Sequence, residues 1–140
     1  AATIASPNDP ANTGRAQLLL QKQGRSELKD PKSITATPGD SVKNPKDRKF
    51  RGLEAALLPR ALDDVDLALI NTNYAIEAKL NPTKDSLFLE SGSSHYANFI
   101  AARKDRANDP SILKLVKALR TPEVKKFIQD KYKGAIIPAF

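Results

Sequence analysis

The amino-acid sequence predicts an α/β domain: a mostly parallel sheet flanked by helices, with two further helices at the C-terminus. Three observations carry this expectation. Short β-prone runs alternate with helix patterns through the first two thirds of the chain. The last third holds two amphipathic segments, each opened by a cap residue and a proline. No internal repeat or low-complexity tract breaks the pattern.

Taken in order, Ala2-Thr3-Ile4-Ala5-Ser6 is a β-prone run, ended by the turn Pro7-Asn8-Asp9-Pro10. Asn12 or Thr13 can then cap a helix to Lys22, with Leu18, Leu19 and Leu20 on its apolar side and Gly24 as its stop. Residues 25–49 are polar and punctuated by Pro31, Pro38, Gly39 and Pro45, which predicts mostly loop. Phe50 to Glu54 reads as a strand and Leu57 to Asp64 as a short helix. Val65 to Ile70 is the strongest buried-strand candidate. Thr72 to Ala78 reads as helix, Asn81-Pro82 as a turn, and Ser86 to Glu90 alternates like a strand. Residues 91–94 form a loop, and Ala97 to Arg103 a further strand. Asp109-Pro110 then opens a helix carrying Ile112, Leu115, Val116 and Leu119. Thr121-Pro122 opens the last one, with Val124, Phe127 and Ile128 on its stripe and Gly134 at its end. The apolar tail Ala135 to Phe140 is expected to dock.

The chain has 140 residues, enough for one domain or one domain with a small appendage. It contains no Cys, which excludes disulfides, iron–sulfur clusters and thiol nucleophiles. A single His excludes multi-His metal sites. No Met occurs at any position, so a processed or truncated product is expected. No apolar run approaches the roughly 20 residues that cross a bilayer. The net charge is +7, concentrated as +4 over residues 41–60 and +6 over residues 101–140. Such patches suit nucleic acid or an anionic membrane surface, but aromatic residues make up only 6% of the chain and are not interleaved with the bases. Solvated loop and helix faces are the plain alternative.

Few residues suggest catalysis. His95 stands alone in a loop, and Asp63-Asp64-x-Asp66 lacks the further ligands a cation needs. The stronger signal is Pro7 to Arg15, between a strand and a helix. Ligands of open α/β sheets bind beyond the carboxyl ends of strands, near helix N-termini. Gly14 would let a ligand approach the backbone, and Arg15 could fork onto a carboxylate. Asn71, directly after the buried strand, and Asn98 are further polar candidates. A plain capped helix with an exposed Arg, and asparagines in turns, are the alternatives.

These segments together resemble the NlpA/MetQ family of methionine-binding lipoproteins. The resemblance rests on Ala2-Thr3-Ile4-Ala5-Ser6-Pro7-Asn8-Asp9-Pro10 and Asn12-x-Gly14-Arg15-Ala16-x-Leu18-Leu19-Leu20-Gln21-Lys22. It continues through Asn44-Pro45-Lys46, Leu58-Pro59-Arg60-Ala61-Leu62-Asp63-Asp64-Val65-Asp66 and Ile70-Asn71-x-Asn73-Tyr74-Ala75. Asp85-x-Leu87-Phe88-Leu89-Glu90, Pro122-Glu123-Val124-Lys125-Lys126-Phe127-Ile128 and Tyr132-Lys133-Gly134-Ala135 complete it. Departures include Ser6 at an apolar strand position, Arg25-Ser26-Glu27, and His95 in place of Pro.

The resemblance implies one lobe of a type 2 periplasmic-binding-protein fold. It implies a second-lobe ligand-binding domain over residues 1–98, with the hinge strand and C-terminal helices over 99–140. The family's first lobe would be absent, and the C-terminal helices would pack partly against it. Asn12, Gly14, Arg15, Asn71 and Asn98 would be the ligand-binding residues, with Arg15 on the α-carboxylate. The implied function is the substrate-binding component of an ABC importer, taking methionine or a related amino acid in partnership with a permease. It implies a periplasmic or cell-envelope location, and neither catalysis, cofactor nor metal. The alternatives are an interaction module that forms a homo-oligomer through exposed lobe surface and, last, a basic nucleic-acid-binding domain.

Overall fold

The computed structural model describes residues 1–92 and 94–140, so Ser93 of the expected 91–94 loop lies outside the described residues. The strands in chain order are β1 (Thr3–Pro7), β2 (Glu27–Leu28), β3 (Ser41–Lys43), β4 (Lys49–Leu53) and β5 (Leu67–Ala68). The helices are α1 (Pro10–Lys22), α2 (Thr72–Glu77), α3 (Pro82–Asp85), α4 (Pro110–Leu119) and α5 (Pro122–Tyr132). Turns of 3-10 helix cover Pro38–Asp40, Ala55–Asp63 and Lys104–Arg106. The chain divides into two compact units, Ala1–Pro82 and Thr83–Phe140. That division falls earlier than the expected 98/99 boundary.

The first unit is built on β1. Ile4, Ala5, Ser6 and Pro7 are all buried, as a strand covered on both faces requires. β1 pairs in parallel with β4, from Thr3 opposite Lys49 to Pro7 opposite Leu53. On its other edge it pairs in parallel with β5, Ile4 opposite Leu67. The order β4-β1-β5 therefore places the carboxyl ends of β1 and β5 side by side. The fold class expected from sequence, an α/β arrangement with a parallel sheet flanked by helices, is the one observed. β5 is shorter than the predicted 65–70 strand, although the Leu69 N–H still reaches the Ala5 carbonyl at 2.9 Å.

Helix α1 begins at Pro10 and is capped by Asp9, whose Oδ1 accepts the Asn12 N–H at 3.0 Å. This corrects the expectation that Asn12 or Thr13 would cap it. A carboxylate reaches the first free N–H groups from outside the helix, whereas Asn12 and Thr13 already lie in its first turns. At the other end Gly24 takes φ +64°, and the Arg25 and Gly24 N–H groups return to Leu20 and Gln21. These are the paired bonds of a Schellman stop.

Residues 25–49 are more ordered than a loop. β2 and β3 pair antiparallel, and the Gln21 side chain stitches this segment to α1 by accepting from Leu28 N–H and donating to the Pro31 carbonyl. The Lys43–Glu27 ion pair across this hairpin is exposed and contributes little. The core of the unit comprises residues such as Ile4, Leu20, Leu28 and Leu58. Gln17 is also fully buried, with neither amide atom bonded in the described structure.

The second unit differs in kind: none of its described residues is buried. α4 and α5 form as predicted, capped by Asp109 on Ser111 N–H and by Thr121 on Val124 N–H. The adjacent Arg106 guanidinium holds the Asp109 carboxyl below its usual value of 3.8, which favours the charged form of this cap. The apolar tail meets Gly92, where an added Cβ would lie 2.8 Å from Ile137. The expected strands over 86–90 and 97–103 do not form. Leu87 is 82% and Phe99 85% exposed. An extended segment becomes a strand only where a neighbour completes its ladder, and neither segment has one among the described residues.

Two substitutions in α1 should move stability in opposite directions. Leu20→Ala is expected to cost about 2–5 kcal/mol, as a large-to-small change in a tight core. Gln17→Leu removes an unpaired buried amide at similar volume and should add about 1–2 kcal/mol. Urea unfolding reads both; a loss on Gln17→Leu would mean that bonded water holds the amide.

Candidate functional site

The parallel pairing of β1 with β5 brings two distant asparagines together. Asn12 sits in the first turn of α1, beyond the end of β1, and Asn71 follows β5 and precedes α2. The Asn71 Nδ2 donates to Asn12 Oδ1 at 2.9 Å, across 59 positions of sequence. Asn12 is held in turn by Asp9: its Nδ2 donates to both carboxylate oxygens, at 3.0 and 3.1 Å. At the far end of this chain of bonds, Asn71 Oδ1 is buried and accepts nothing from the described residues. A buried amide oxygen without a donor is uncommon and costly.

Arg15 lies one turn beyond Asn12 on α1, three positions on, and so on the same side of the helix. It is half-buried and already has partners within the protein. Gly14 plays a different part from the one expected. A Cβ there would collide with the Ile34 carbonyl oxygen, so the space is filled by the loop of the same chain rather than left to a ligand. The helix terminus is also less open than expected, because the Asp9 carboxylate already answers its positive end.

Asn98 belongs to the second unit, exposed in a segment without regular structure. His95 is exposed too. Asp66, from the acidic run, accepts the Thr3 N–H at 2.7 Å. Among the described residues no group of three or more His, Cys, Asp or Glu side chains gathers as for a metal.

A hollow of about 480 Å³ lies elsewhere in the first unit, bounded by Pro7, Pro10, Pro38 and Phe50 among others. None of Asn12, Arg15 and Asn71 lines it. Two of its hydroxyls are already committed: Thr13 Oγ1 to the Pro7 and Asp9 carbonyls, Thr37 Oγ1 to Asp40. The asparagine pair is therefore the better candidate site.

Known proteins fix the kinship. The sequence pattern of the NlpA lipoprotein family matches residues 1–140. The chain belongs to the NlpA lipoprotein family. One relative is a probable D-methionine-binding lipoprotein MetQ of Pasteurella multocida, 43% identical over 136 residues. The match covers 97% of this chain and 49% of that protein. Among solved structures, a nutrient-binding protein of Burkholderia cenocepacia bound to methionine superposes with a TM-score of 0.88 at 51% identity, over 99% of this chain and 59% of that one. A periplasmic substrate-binding protein of an ABC transporter from Coxiella burnetii gives 0.87 at 48% identity, over 99% and 58%. The chain thus spans about half the length of the curated NlpA-family relatives it matches. These relatives are binding proteins and lipoproteins by description. No helix among the described residues is long and apolar enough to cross a membrane.

Asp9 is the site residue that sequence reasoning missed. Its signal was present: Asp9-Pro10 repeats the Asp109-Pro110 device read correctly at α4. Gly14→Ala tests the revised role of Gly14. It should cost about 1–3 kcal/mol of stability through overpacking against Ile34, measured by chemical denaturation.

Proposed function

We propose that this chain is ligand-holding α/β structure of a solute-binding protein serving an ABC importer, with methionine as the ligand. The observation that carries it is the buried, unbonded Asn71 Oδ1, held in place by Asn12 one helical turn from Arg15. An amino acid offers an ammonium that could donate to Asn71 Oδ1, the atom this arrangement leaves without a donor, and a carboxylate of the kind a guanidinium such as that of Arg15 holds in bidentate fashion. Kinship with proteins described as methionine-binding supports the choice among amino acids. Asn98 remains a ligand candidate on resemblance alone, and Gly14 leaves the ligand set for a packing role.

The reading involves binding without bond making or breaking. It also takes the permease of the importer as partner and the cell envelope as location, on kinship alone. Affinity depends on enclosing most of a small ligand, and an open surface encloses little. The 140-residue chain by itself should therefore bind methionine only at about millimolar level. Titration followed by NMR or calorimetry should show saturable binding that Arg15→Ala abolishes with the fold intact. Binding untouched by Arg15→Ala would remove the arginine from the site.

A second reading rests on the unit that buries nothing. Leu113, Leu115, Leu119 and Phe127 are each at least 45% exposed. Apolar surface of this kind favours self-association, which would make the chain a homo-oligomer. Light scattering decides it: one monomeric mass at every concentration excludes the reading.

A further inference from the structure

We infer that Asp9 is a positioning residue that sets the ligand preference of the site, by orienting two amides in series so that it accepts an amine. The inference rests on the amino-acid reading above and adds the reason an amine is selected.

A carboxylate only accepts hydrogen bonds. Both oxygens of Asp9 face one nitrogen of Asn12, at 3.0 and 3.1 Å, so the Asn12 amide must turn its NH2 towards Asp9. Its oxygen then points away, towards Asn71. An oxygen there accepts only from a donor, so Asn71 must present its own NH2, at 2.9 Å. The remaining Asn71 atom is then its oxygen, buried and unbonded. Were either amide reversed, Asn71 would offer an N–H instead, and the same position would favour an acceptor. One carboxylate at the start of α1 thus determines, across two side chains, that the unbonded atom of Asn71 is an acceptor and calls for a donor.

The ligand class is accordingly a primary ammonium compound with a carboxylate, in preference to the hydroxy, keto or des-amino acid of the same shape. A site built around a hydrogen bond rejects the analogue that leaves its group unpaired. Asp9 touches no ligand in this account and acts wholly through Asn12.

Asp9→Asn separates this role from simple capping. Asparagine caps a helix as well as aspartate does. It also sets a donor beside Asn12 Nδ2, which removes the bias on the amides. The 140-residue chain is titrated with methionine and with 4-(methylthio)butanoate, its des-amino analogue, and the ratio of affinities is compared. The expected result is a ratio lower by about tenfold in Asp9→Asn, the scale of one hydrogen bond, with an unchanged unfolding midpoint. An unchanged ratio in a folded variant overturns the inference. If the wild-type chain binds neither compound, the amino-acid reading fails instead. The side-chain amide NMR signals then judge the orientation alone: an Asn71 NH2 protected from exchange in the wild type and freed in Asp9→Asn supports it, and equal exchange in both overturns it.

Discussion

Much of the first unit depends on the carboxylate of Asp9. It caps α1, so the helix starts at Pro10 and not three or four residues later. Starting there places Asn12 in the first turn, against Asn71. The same carboxylate holds the Asn12 side chain from the other side. Helix start, amide orientation and the junction between β1 and β5 are thus linked through a single acidic group. A surface ion pair of similar length, such as Lys43 with Glu27, has no comparable reach because water competes for both partners.

The sheet supplies the rest of the geometry. Parallel pairing on both edges of β1 brings the carboxyl ends of three strands to one side, where the segments leaving β1 and β5 meet through Asn12 and Asn71. The site needs no long insertion for this reason. Gly14 shows how closely the surrounding loop is drawn in, since the Ile34 carbonyl occupies the place of its missing side chain.

What the sequence revealed follows from the range of the interactions involved. β1, α1, α4 and α5 were legible because caps, prolines and apolar spacing are local signals. Asn71 and Arg15 were legible as candidates because strand ends and helix starts could be located. The segments 86–90 and 97–103 were misread because alternation states only a preference, and a partner strand decides the outcome. The hairpin of β2 and β3 was missed because polar, proline-rich residues hide a pairing that Gln21 stabilises from α1. The role of Gly14 was misassigned because its neighbour, Ile34, comes from twenty positions away.

The unit from Thr83 to Phe140 buries no described residue, although its helices carry well-formed caps at both starts. Caps select where a helix begins but contribute only on the order of 1 kcal/mol each, too little to hold an assembly cooperatively. Such a unit opens segment by segment instead of in a single transition. Its lysines and arginines at positions 103–133 would then be open to a trypsin-like protease on a timescale set by local fraying. Cleavage within these helices would therefore report on local fraying, whereas the firmness of the candidate site rests on Asp9.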